Sequence, residues 1–136
     1  MRVLAVDHGS KRIGLAVSDT TGTIANPLQV VAHTARAEDA RKVAAIAAKN
    51  EAGLIVVGQS LGDDGQPNFE GRRAGRFADA LRLASNLPVV MWDEALTTQE
   101  ARSARLVMGA KRKDRTGHLD ALAATVLLQS YLDGQR

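Results

Sequence analysis

The sequence predicts an α/β fold: a five-stranded mixed β-sheet with helices on both faces. Three observations predict it. Residues 3–31 carry three β-patterned runs separated only by short turns, as hairpins require. Apolar runs then alternate with helix-patterned stretches, which pairs the later strands in parallel. One of those runs, Leu54 to Gly58, is apolar without alternation, as expected of a strand covered on both faces.

Each element can be read in turn. Val3 to Val6 and Ile13 to Val17 are two strands joined by the glycine-bearing turn HGSKR. Thr23 to Val31 is a third, and Pro27 inside it requires an edge position or a bulge. In TARAEDARKVAAIAAKNEAG, Ala40, Val43, Ala44 and Ala47 fall on one helical stripe, and Gly53 follows where the helix stops. Leu54 to Gly58 is the fourth strand. QSLGDDGQPNFEG is polar and glycine-rich, hence a loop. A second helix carries Ala74, Phe77, Ala78 and Leu81 on one face. PVVMWD is the fifth strand, entered at Pro88. Thr97 and Glu100 form a capping box that opens a helix running to about Met108. GAKRKDRTG is a loop, and a last helix begins near His118 and ends near Leu132. The order is β-β-β-α-β-α-β-α-α. No repeat, low-complexity tract or linker interrupts it, so residues 1–136 are expected to form one domain.

Composition narrows the function. Apolar residues make up 45% and charged residues 24%, as in ordinary globular proteins. There is no cysteine, which excludes disulfides and thiolate metal sites but leaves oxygen-ligated metals. No basic start precedes a long apolar stretch, and no run approaches the roughly 20 apolar residues that span a bilayer. A cytoplasmic protein without a membrane partner is expected. The net charge of +3 is uneven. Arg102, Arg105, Lys111, Arg112, Lys113 and Arg115 face one acid, Asp114, giving that stretch +5. Arg72, Arg73, Arg76 and Arg82 form a second group. Concentrated positive charge suits a polyanion such as nucleic acid, although a solvated basic face carries the same pattern. Aromatics are only 3%, which argues against a single-strand binder built on stacked bases.

The acids carry the chemistry. Asp7 lies at the carboxyl end of the first strand, Asp93 and Glu94 at that of the fifth, and Asp120 in the first turn of the last helix. In sheets with parallel strands, ligands gather beyond the carboxyl ends. Each acid has a structural use by itself: Asp7 in the turn, Asp120 at a helix start, Asp93 or Glu94 against an arginine. Brought to one place, three carboxylates repel unless a cation joins them. Hard oxygen ligands suit Mg²⁺ or Mn²⁺. Two such ions about 4 Å apart hold the attacking and leaving oxygens of a phosphoryl displacement.

Four segments together resemble the YqgF, or RuvX, family of bacterial proteins in the RNase H-like superfamily, related to Holliday-junction resolvases. They are DHGSKRIGLAVSD, VVGQSLGDDG, DEALTTQEAR and LDALAATVLLQSYL, in the family's order along nearly the whole chain. The resemblance implies an RNase H-like fold. It also implies metal-dependent hydrolysis of phosphodiester bonds in structured nucleic acid: 5′-end processing of precursor 16S rRNA, resolution of branched DNA, or both. Carried over by position, Asp7, Glu94 and Asp120 are the catalytic metal ligands, with Asp93 in reserve for the middle role because alternation turns only one of the adjacent acids to the site. The implied cofactor is Mg²⁺ or Mn²⁺, as two ions.

Lys11, Arg12, Lys111, Arg112, Lys113 and Arg115 would hold flanking phosphates, which sets position and salt dependence without reading sequence. Lys11 and Arg12 could equally be plain turn residues. Thr97 and Thr98 are helix caps first, and His118 stands two residues from Asp120. A homodimer is the assembly implied for cutting a two-fold symmetric junction. The sequence departs from the family pattern in two places. Ala95 replaces the arginine after the paired acids, and Gln59 and Ser60 stand where Leu-Pro is common. The rival within enzymes is an actin-like ATPase, whose phosphate hairpin is similar. It needs a second domain and an adenosine-binding segment, neither of which is found, so no nucleotide cofactor is expected. The rival outside enzymes is a non-catalytic binder of branched DNA or ribosomal RNA, which would bind without metal and survive loss of the acids.

Overall fold

The computed structural model describes residues 1–96 and 116–136, with side chains over 1–95 and 121–136. Five strands form one sheet: β1 (Arg2–His8), β2 (Arg12–Ser18), β3 (Ala25–Ala32), β4 (Ala52–Gln59) and β5 (Val89–Asp93). Their order is β3-β2-β1-β4-β5. β1 pairs antiparallel with β2, and β2 with β3, so the first three strands are the expected hairpins. β4 runs parallel to β1 and to β5. The helices among the described residues are α1 (Arg36–Lys49), α2 (Phe69–Ala84) and α3 (Thr116–Gly134), with a 3-10 turn at Glu94–Leu96. None of them is long and apolar enough to cross a membrane.

Alternation along the central strands builds two cores. Leu4 and Val6 of β1 join Ile55 and Val57 of β4 beneath α1 and α2, where Val43, Phe77 and Leu81 are fully buried. Val3 and Ala5 turn the other way, with Ala16 and Val56, against Ala124, Leu127 and Leu128 of α3. Small residues dominate this second face, so α3 lies close on the sheet. Each large side chain fully removed from water contributes about 1.5–3 kcal/mol. With few aromatics, many modest contributions replace a few large ones.

The differences from the sequence reading lie at element ends. β1 continues through His8, so Asp7 is inside a strand rather than just beyond it. α2 opens at Phe69 inside the segment read as loop, because Asn68 caps it: its Oδ1 accepts the Gly71 N–H at 2.9 Å. α3 starts at Thr116 rather than His118. Pro27 satisfies both of its conditions, since β3 is an edge strand and its register with β2 shifts between Leu15 and Ala16. The helix expected from Thr97 and the basic loop Lys111 to Arg115 lie outside the described residues.

Candidate active site

The carboxyl ends of β1, β4 and β5 lie side by side, because these three strands are parallel neighbours. Asp7 is half-buried on β1 and shares the face of Val3 and Ala5, the face covered by α3. Glu94 follows β5, two strands away. Its side chain hydrogen-bonds that of Asp7. Glycine at position 58 of the intervening β4 leaves the room: a Cβ there would lie 2.9 Å from Glu94 Oε1 and 2.9 Å from Leu127 Cδ2. Glu94 as a residue is exposed, yet its carboxyl end is tucked against this bare backbone.

Electrostatics follow from that position. Burial pushes the Glu94 carboxyl above its ordinary value, and the charge of Asp7, the hydrogen bond with Asp7, and the charges of Asp93 and Glu70 push the same way. Two carboxyls this close bond to each other only through a shared proton. A cation between them is the other way to relieve the repulsion. Asp93 does something else: its Oδ1 accepts the Ala95 N–H at 2.9 Å and closes the 3-10 turn that aims Glu94. Of the two adjacent acids, Glu94 is the one that meets Asp7.

Asp120 enters on the backbone of α3. The start of β3 lies at the end of the sheet opposite the site, and Gln129 of α3 accepts the Ala25 N–H there at 2.9 Å. Leu127 touches the site at Gly58. The helix therefore runs away from the site, and the residues before Leu127, Asp120 among them, lie towards it. Among the described residues no group of three or more His, Asp or Glu side chains is arranged to hold a metal.

Beside Asp7 is an open cleft of about 450 Å³ lined by Asp7, Gly9, Ser10, Lys11, Arg12 and Gly14. Lys11 and Arg12 are exposed on its wall. Lys111, Arg112, Lys113 and Arg115 lie outside the described residues. Ser60, one of the departures from the family pattern, clamps the start of α2: its Oγ accepts Asn68 Nδ2 at 2.7 Å and its carbonyl accepts the Asn68 N–H at 3.2 Å. Gly71 makes this closeness possible, since a Cβ there would fall 2.1 Å from the Ser60 carbonyl oxygen.

On the opposite face is a cluster that the sequence reading did not single out. The His8 ring stacks on Phe77 at 4.7 Å, and its edge-to-face neighbour is His33 at 6.5 Å. Burial, then the neighbouring Arg73 and His33, hold the His8 imidazole below its ordinary pKa. His33 in turn bonds Asp39, six residues on and across the β3–α1 connection. The available signal was weak: Glu38 and Asp39 read as ordinary acids of a first helical turn.

Comparisons with known proteins bear on the family and the fold. The family model described as "RuvX: Holliday junction resolvase" matches residues 1–134. A protein of Thermoanaerobacter pseudethanolicus, provisionally named a pre-16S rRNA nuclease, is 36% identical over 140 residues, covering 100% of this chain and 99% of the relative. One of the same name from Anaeromyxobacter sp. strain Fw109-5 is 42% identical, covering 99% and 98%. Among solved structures, Thermus thermophilus RuvC in complex with a Holliday junction substrate superposes with a TM-score of 0.66 at 19% identity, over 99% of this chain and 96% of that one. The fowlpox virus resolvase in complex with Holliday junction DNA gives 0.62 at 14%, over 99% of both. The structural likenesses establish the RNase H-like fold, and the match along the whole sequence establishes descent: the chain belongs to the RuvX family of RNase H-like nucleases.

Proposed function

We propose that this chain hydrolyses phosphodiester bonds in structured nucleic acid, with precursor 16S rRNA as its substrate and Mg²⁺ or Mn²⁺ as its cofactor. The observation that carries the reading is the hydrogen-bonded carboxyl pair Asp7–Glu94, held at the carboxyl ends of parallel strands. The donor chemistry fits a hard divalent cation: two carboxyl groups meet, and the proton that joins them stands where a cation can replace it. Asp120, carried towards the site by α3, supplies the third carboxylate. Held by Asp7, Glu94 and Asp120, such ions would supply an activated water and charge stabilisation at the leaving oxygen.

The chain's own residues do the rest. Asp7 and Glu94 fix the acidic centre, and Asp93 sets the turn that presents Glu94. Lys11 and Arg12, on the wall of the cleft, hold phosphates flanking the scissile one. The basic loop Lys111 to Arg115 extends that hold. The names of the relatives support ribosomal RNA as the substrate. Branched DNA is supported by the family's description.

The test is cleavage of a labelled 16S precursor fragment, a four-way DNA junction and single-stranded DNA, each with Mg²⁺, Mn²⁺ or EDTA, alongside Asp7→Asn. Cleavage that requires metal and is lost in Asp7→Asn supports the nuclease reading, and the substrate cut fastest decides between RNA and DNA. Tight binding without cleavage, unchanged in Asp7→Asn, would leave a binding module instead.

A further inference from the structure

Among the described residues Asp39 is the one charged side chain that is fully buried, at 0% exposure. A carboxylate out of water must have its lone pairs filled. Its Oδ1 accepts from the Thr34 N–H at 3.1 Å and the Thr34 hydroxyl at 3.0 Å, and His33 Nδ1 lies 2.5 Å from Oδ2. Burial pushes the carboxyl up, but the hydrogen bonds from His33 and Thr34 outweigh it and hold the group below its ordinary value. Asp39 is therefore ionised, and His33 Nδ1 carries the proton of their bond. The other ring nitrogen, Nε2, makes no hydrogen bond among the described residues, and 32% of the side chain is open to solvent.

The position of this ring is not neutral. β3 runs in the same direction as β1, so His33, just past β3, lies at the same end of the sheet as Asp7, with its ring on the opposite, α1 and α2 face. Its backbone N–H donates to the Lys11 carbonyl at 2.9 Å, which ties it to the turn lining the cleft. Stapling β3 to α1 needs only the Nδ1 proton. An aromatic ring whose second nitrogen has no hydrogen-bond partner among the described residues is more than that task requires.

We infer that His33 is a phosphate-binding residue of the nucleic-acid site, its ring held through Nδ1 by the buried Asp39 and, when protonated, offering an Nε2–H to the strand that crosses Lys11 and Arg12. This rests on the nucleic-acid reading above and adds a contact to it. With Nδ1–H committed to Asp39, a neutral ring would present a bare Nε2 lone pair and repel a phosphate oxygen. Only the protonated ring donates. The groups around it are Asp39 and Glu38 of α1, Lys11 of the turn, and His8 of β1. Arg73 and Glu70 of α2 act on that His8.

The test is His33→Asn, whose amide replaces the Nδ1 donor to Asp39 and deletes Nε2. Affinity for a labelled DNA junction and a hairpin RNA is read by anisotropy in EDTA across a salt series, at about pH 6 and about pH 8.5, because only a protonated ring donates from Nε2. At the lower pH the variant should bind about tenfold more weakly. Its slope of log affinity against log salt should be shallower by about 0.7–0.9. At the higher pH the two proteins should converge. His33→Arg should restore affinity and slope at both pH values, and it decides the matter should the asparagine variant fail to fold. Equal affinity and slope for the wild type and His33→Asn at both pH values would overturn the inference and leave a structural staple. Cleavage by the wild type, measured in parallel, separates that failure from failure of the nuclease reading. If the wild type neither binds nor cleaves, both fall.

Discussion

Glu94 reaches past β4 to hydrogen-bond Asp7 two strands away, and it does so over Gly58, where a side chain would stand in the path. Three strands thus cooperate to hold two like-charged groups together. Such an arrangement works against stability unless something is bound there.

The first prediction is a pH dependence. The Glu94 carboxyl is raised from 4.5, so between that value and its folded value the native state holds a proton that the unfolded state has lost. Stability should therefore fall as pH rises through this window and level off above it. Thermal melts in EDTA from about pH 4 to about pH 8 check the sign. Glu94→Gln should flatten that part of the profile. Added Mg²⁺ or Mn²⁺ should raise Tm near neutrality in the wild type and much less in the variant.

Asp7→Asn should separate activity from stability. Cleavage should drop by at least about 100-fold, since loss of even an outer partner of a metal costs 10–100-fold. Metal-free Tm near neutrality should rise or hold, because the amide removes one of two like charges held together. A residue kept only for the fold would show the reverse: a lower Tm and an unchanged turnover.

Gly58→Ala tests the spacer. The new methyl meets Glu94 Oε1 and Leu127 Cδ2, both at 2.9 Å, so both must give way. Overpacking of this kind costs about 1–3 kcal/mol. Cleavage should fall well beyond what that loss explains, because Glu94 is displaced. Gly75→Ala is the control: nothing lies within 4 Å of a Cβ there, in the middle of α2. It should stabilise by about 0.4–1 kcal/mol and leave cleavage unchanged.

These relationships show where sequence reading reached and where it stopped. Strand order followed from local pattern, since Leu54 to Gly58 lacks alternation and Pro27 needs an edge. The meeting of Asp7 with the Asp93–Glu94 pair followed from topology alone. Which of the two adjacent acids turns inward did not, because Glu94 sits beyond β5 in a 3-10 turn where strand alternation no longer applies. Gly58 read only as the end of an apolar run, since the need for glycine comes from a side chain two elements away. His33 and Asp39 were invisible for the same reason. Six residues apart, they meet only because β3 ends where α1 begins.

Asn68 supplies the last prediction. Its side chain accepts the Gly71 N–H at 2.9 Å and donates to Ser60 Oγ at 2.7 Å, so one residue both caps α2 and ties it to the end of β4. α2 carries Phe77 under His8, and Glu70 of its first turn acts on Glu94. Asn68→Ala should cost about 1 kcal/mol as a lost cap, or roughly 3 °C in Tm for a domain of this size. Asn68→Asp keeps the acceptor and loses the donor to Ser60, so it should recover most of the stability. If the Ser60 tie also holds the site's rim in place, Asn68→Asp should still cleave more slowly than the wild type while melting near it. Equal cleavage and equal Tm in Asn68→Asp would show that the cap alone matters and that the β4–α2 clamp is incidental to the site.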